Sequence, residues 1–298
     1  MIELSHDQLT FSFPDVHPDA RLVIEFQRTL RIPHGGGDMP RLPSLGPYPL
    51  YSIADYAHRV PNHWASYGGA MLPMYQSEAM WLSFRPAYSV AHQAFYPFAV
   101  KIGVGGVDAV GGQRWSDGIH QWPQDFLVIT HQSWLGGYQT GNDGIRQFVA
   151  MPLGFGYLPD DSPGSPHRFG RLQLVIYPMG AQSFRARYPL DAWQRHLENI
   201  VFPPATQQSE HGVLSPGADA LERQSIEEGL FPLADWDVLS PGSYTLHLAN
   251  SLHWCAITGG PPPMGPARLE SNRRAAANGI TRTAGLELHR SLGSTTAE

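Results

Sequence analysis

The chain has 298 residues, a formal net charge of −6, 15% charged residues and 11% aromatic residues. Gly (31) and Pro (27) make up about a fifth of it, where roughly 12% is usual. One lysine excludes a coiled coil or long helical bundle, and the aromatic content with low net charge excludes a disordered chain. The basic residues are scattered arginines plus Lys101 and form no phosphate-tracking stripe, so no nucleic-acid partner is expected.

In chain order, residues 9–13 alternate, with Leu9, Phe11 and Phe13 on one side. Residues 21–32 continue as a longer strand. Leu22, Ile24, Phe26, Arg28, Leu30 and Ile32 form its apolar face. The Gly- and Pro-rich stretch 34–49 reads as a loop. Ser52 is an N-cap for a short helix through His58, and Trp64 packs inward. Residues 70–84 fit a helix around 76–81 or strands. Phe98, Val100, Ile102 and Val104 line one face of a strand, and Gly105-Gly106 turns it into a hairpin.

Three compact β runs follow at 126–130, 145–152 and 172–177. Residues 190–201 carry a helical apolar face, and 214–229 hold a second helix. Residues 244–254 alternate as a late strand. From Gly259 the chain turns Pro-rich and then polar. The expected fold is α+β, a mostly antiparallel β-sheet or sandwich with a few peripheral helices. Residues 1–264 make a single β-rich globular domain, and 265–298 a flexible or peripherally attached tail. No internal repeat is visible.

Cys255 is the only cysteine, so no internal disulfide forms, and its apolar neighbours suggest a buried, inert thiol. The N-terminus lacks the basic and apolar regions of a signal peptide, and no apolar run reaches the length of a membrane span. The expectation is a soluble, cytoplasmic protein without membrane insertion.

Several segments together carry a resemblance. They are RTLRIP (28–33), MLPMYQSEAMW (71–81), YPFAVKI (96–102), IRQFVAMPLG (145–154), LQLVIYP (172–178), DWD (235–237) and HLANSLHWCAITG (247–259). With them the chain resembles a family of uncharacterised proteins found in actinobacteria and fungi, often labelled integral membrane protein. The resemblance covers about residues 1–262. Family members typically continue with a Pro- and aromatic-rich ending, where this chain has a polar tail from Arg268. The resemblance brings no activity, cofactor or catalytic residue with it.

Two residues stand out as acid/base candidates. Lys101 lies mid-strand, opposite the apolar face. It faces solvent if the sheet is covered on one side, and is buried with a carboxylate, or as a base or Schiff-base lysine, if both sides are covered. Glu78 sits among Met74, Tyr75, Met80 and Trp81, where a buried carboxyl would serve as an acid or base unless ion-paired. Each would explain the burial of the other, so Glu78 with Lys101 is the expected catalytic pair. Tyr75, Gln76, Arg146 and Gln147 complete a candidate ligand-binding set. Gln147 is expected on an apolar face with Ile145, Val149 and Met151, where its amide needs a partner.

The 14 histidines include no HExxH pattern. His247 and His253 flank the last strand and are expected on one side of a sheet. GVGGVDAVGG at 103–112 reads as a hairpin, since a dinucleotide fingerprint needs a following helix. The leading reading is a small-molecule-binding protein, extending to a cofactor-independent acid/base enzyme. The alternatives are a non-catalytic interaction or scaffolding module, and a metal-dependent enzyme built from scattered histidines.

Overall fold

The computed structural model describes residues 1–31, 42–75, 78–140, 144–150, 171–190, 224 and 226–265. The chain divides into two compact units, Met1–Pro263 and Met264–Glu298. The first holds all the elements named below.

The architecture is α+β and strand-dominated, built on two sheets. The first joins β1 (Ile2–Ser5), β2 (Gln8–Ser12), β3 (Arg21–Thr29), β6 (Ala79–Pro86), β14 (Ile145–Val149) and β13 (Gly137–Gln139) in that order, with β12 (Trp134–Leu135) also paired to β6. The second runs β10 (Val107–Asp108), β9 (Phe98–Val104), β15 (Arg171–Pro178), β16 (Gly242–Ala249), β5 (Ala70–Pro73) and β4 (Tyr51–Ser52), with β11 (Leu127–Val128) on β9. Pairing is antiparallel except between β16 and β5. A small ribbon pairs β7 (Tyr88–Ser89) with β8 (Ala94–Phe95).

The two sheets meet face to face. Phe11 lies edge-on to Tyr244 with ring centroids 6.4 Å apart, and Phe13 sits 6.1 Å from Phe98. The outer face of the first sheet is solvated only in part, since Gln27, Trp81 and Trp134 are buried on it. Leu22, Ile24 and Phe26 of β3 are buried toward the core, while Glu25 on the other face pairs with exposed Arg85 at 2.6 Å. That alternation is what the sequence shows.

The second sheet is covered on both faces. Its outer side carries Lys101 on β9, Arg171 on β15, His247 on β16 and Met71 on β5, and all four are buried. Part of the cover is the segment 113–126. Part is α1 (Asn62–Tyr67) with α3 (Ser251–Thr258), whose Trp64, Trp254 and Ile257 cluster with Met71 and Ala249. A further helix, α2 (Ala181–Arg187), buries Phe184 against Tyr96.

Gly105 and Gly106 make the β9–β10 turn with φ of +55° and +87°, the left-handed pair a two-residue hairpin needs. Ser52 caps a single 3-10 turn, Ile53–Tyr56, by accepting from the Ala54 N–H.

Three expectations change. Residues 70–84 hold two strands and no described helix, because Ala70–Pro73 and Ala79–Pro86 are taken up by different sheets. The run 244–254 is not one strand. Asn250 accepts from the His253 N–H and starts α3, which directs His247 and His253 onto different elements. Cys255 is exposed rather than buried, since α3 packs through Trp254 and Ile257. The expected helix at 190–201 and most of that at 214–229 lie outside the described residues.

Candidate functional site

Lys101 points from β9 into the cover on the outer face and is 1% exposed. Its Nζ donates to the Ser116 carbonyl (2.7 Å), the Gly118 carbonyl (2.6 Å) and Asp125 Oδ2 (2.7 Å). Three acceptors use all three protons of an ammonium. Lys101 therefore keeps no lone pair for attack and acts as an anchor, tying 116–125 to the sheet. The Trp115 ring closes over it at 4.9 Å, a cation–π contact.

Asp125 connects this buried cation to the surface. Its Oδ1 accepts from the His120 N–H at 2.7 Å, and its Oδ2 lies 2.7 Å from His120 Nδ1. A carboxylate bound to an ammonium can only accept, so His120 Nδ1 carries the proton and Nε2 presents its lone pair. The His120 side chain is 52% exposed. The arrangement is an oriented imidazole, held by an aspartate that is itself held by a lysine.

Trp115 owes its place to a missing side chain. A Cβ on Gly103 would lie 2.7 Å from the Trp115 ring. Gly103→Ala is expected to push Trp115 off the sheet and to cost about 1–3 kcal/mol. Urea unfolding with tryptophan emission reads both effects, and an unchanged midpoint would contradict this packing.

Glu78 belongs to a different centre. It faces Arg28 of β3, with Arg28 Nη2 to Oε1 at 2.7 Å, and accepts from Tyr48 OH and the Tyr75 N–H at 3.1 Å each through Oε2. Burial pushes the Tyr48 phenol well up, and the neighbouring Glu78 charge adds to this. The expected Glu78–Lys101 pair therefore does not form. Glu78 directly precedes β6 of the first sheet, Lys101 lies on β9 of the second, and each has its own counter-ion.

Of the candidate ligand set, Tyr75 is half-buried and touches Glu78 through its backbone, and Gln76 lies outside the described residues. Arg146 is exposed. Gln147 donates to the Leu30 carbonyl at 2.8 Å. It shares its face with Ile145, which packs against Trp81 and Trp134, so the amide finds its partner on the apolar face where it was expected; Met151 lies outside the described residues.

Neither His120 nor Asp125 lies in a motif that marks it in the sequence. The readable signal was a Pro-containing loop, His120 to Asp125, following a lone mid-strand lysine.

Two buried groups have opposed proton affinities. Burial pushes Asp108 up to about 6, with Asp125 adding to the shift; Val110 and Gly111 N–H donors and Lys101 oppose it. Burial lowers His247 to about 4, helped by His63 and Arg171 and opposed by its bond to the Gly68 carbonyl. Folded Asp108 holds its proton where the unfolded chain has lost it. Its contribution is present below the ordinary carboxyl value of 3.8 and lost as pH rises to about 6, about 3 kcal/mol. His247 behaves inversely. Its contribution is present above 6.5 and lost as pH falls to about 4, again about 3 kcal/mol.

The two windows overlap and nearly cancel. Asp108→Asn should unmask the histidine, losing about 3 kcal/mol more than wild type between about pH 6.5 and 4. Parallel pH slopes in urea unfolding would contradict this.

Among the described residues no group of three His, Cys, Asp or Glu side chains converges as a metal site, and no helix is long and apolar enough to cross a membrane. Comparison with family models, with curated proteins and with solved structures gives no match.

Proposed function

We propose that the chain is a cytoplasmic small-molecule-binding protein whose chemistry is proton transfer, with His120 as the base. The observation that carries this reading is the 2.7 Å contact from His120 Nδ1 to Asp125 Oδ2. It orients a half-exposed imidazole with Nε2 outward, the disposition a general base needs. Lys101 is a positioning residue, because it fixes Asp125. Exposed Trp122, two positions from His120, offers an apolar surface to a ligand. Kinship with the actinobacterial and fungal family remains part of the proposal, resting on the seven shared segments.

The test presents activated esters and enolisable ketones to the wild type and to His120→Ala. The reading expects turnover above buffer in the wild type and at least a roughly tenfold loss in the variant, with melting temperature unchanged. Equal rates in the two chains, or no turnover by the wild type, would contradict it.

A further inference from the structure

Arg171 opens β15, and its register partner on β16 is His247. Neighbours in register share a face, so both side chains lie on the outer side of the second sheet. There α1 crosses them. Trp64 stacks on the His247 ring at 4.7 Å, and the Tyr67 ring lies 3.9 Å from the Arg171 guanidinium.

Arg171 is only 6% exposed, and its Nε and Nη1 are buried without a hydrogen-bond acceptor. Arg28, Arg85 and Arg187 each reach a carboxylate. Among the described residues, Arg171 reaches none. A guanidinium cannot shed its proton, so among the described residues this is a buried positive charge without a counter-charge, a costly arrangement. The ionisable groups beside it, His63 and His247, are also basic.

A second orphan points the same way. His247 is fully buried and its Nε2 lies 3.0 Å from the Gly68 carbonyl, while its Nδ1 has no partner. One missing anion accounts for both. It would take the guanidinium N–H groups and draw a proton onto His247 Nδ1, so that the ring donates from both nitrogens. Half-exposed Tyr67 marks the side open to solvent.

We infer that Arg171, with His247 and His63, forms a binding site for the oxyanion group of a small ligand. The site is separate from the His120 centre and does not depend on it. The ligand carries a tetrahedral oxyanion or a carboxylate, which share the acceptor chemistry the site lacks.

The test measures thermal unfolding with about 5 mM sulfate or succinate against chloride of equal ionic strength. Wild type should gain about 3 °C with one of them. A gain with sulfate identifies a tetrahedral oxyanion, and a gain with succinate a carboxylate. Sulfate keeps its charge throughout, so its effect should grow as pH falls from about 6.5 toward about 4, the range over which the His247 ring beside Arg171 gains its proton. Arg171→Met should melt higher than wild type without anion, because the unpaired charge is gone, and should lose the anion response.

An equal response in both chains, or none with either probe, overturns the inference. Should Arg171→Met fail to fold, the arginine Nε–H resonances of the wild type decide. A buried Nε–H signal that moves on titration supports the site, and a spectrum unchanged by both anions overturns it.

Discussion

Lys101→Met should destabilise the protein by about 3–5 kcal/mol and lower its melting temperature by roughly 10 °C. Methionine fills much of the lysine's space, so little of the loss comes from packing. The cost comes from what the ammonium leaves behind. Asp125 would keep a buried carboxylate without its counter-ion, and the Ser116 and Gly118 carbonyls would lose their donor. Asp125→Asn made in the same chain should return part of the loss, since the stranded charge goes with it. The coupling between the two positions is expected at about 2 kcal/mol. His120→Ala, at the exposed end, should change stability by no more than about 0.5 kcal/mol. Urea unfolding of wild type, the two single variants, the double variant and His120→Ala measures all of this, and additive effects of the two substitutions would contradict the pair.

Glu78→Gln is expected to cost about 3–4 kcal/mol. The amide keeps the shape of the carboxyl, but it removes the negative charge that neutralises Arg28 inside the first sheet. The replaced oxygen also accepts either from Arg28 or from both Tyr48 and the Tyr75 N–H, depending on the amide's orientation. Tyr48→Phe, which removes one neutral donor, should cost only about 1 kcal/mol. The contrast distinguishes a structural ion pair from a reactive carboxyl. A stable Glu78→Gln protein with its turnover lost would assign the chemistry to Glu78 and contradict the placing of the base at His120.

The fold was legible where local pattern decides it. The alternation of β2 and β3, the Gly105-Gly106 turn and the Ser52 cap are short-range features, and the structure contains each of them. Residues 70–84 resisted because their apolar residues follow neither period cleanly. They are nearly all buried, and a strand buried on both faces has no polar side to mark it.

The site was half legible. Lys101 stood out, and its burial followed once both faces of the sheet were covered. Its partner did not follow, because Asp125 arrives on a loop whose path over β9 is set by tertiary packing. The pairing of Glu78 had a readable clue in Arg28, a charge on the apolar face of β3 that called for a carboxylate. The two residues are 50 positions apart, but β3 and β6 are register partners, with Arg28 opposite Met80. Arg171 and His247 meet for the same reason, through a register between strands far apart in the chain.

The central claim is that Lys101 is a fully bonded ammonium holding Asp125 under His120. Because Lys101 is the only lysine, protein labelled with nitrogen-15 at lysine Nζ gives one side-chain resonance. The account expects a sharp ammonium signal at neutral pH, slow to exchange with water, which broadens away in Asp125→Asn. An ammonium already exchanging too fast to detect in the wild type, as for a solvated surface lysine, would contradict it.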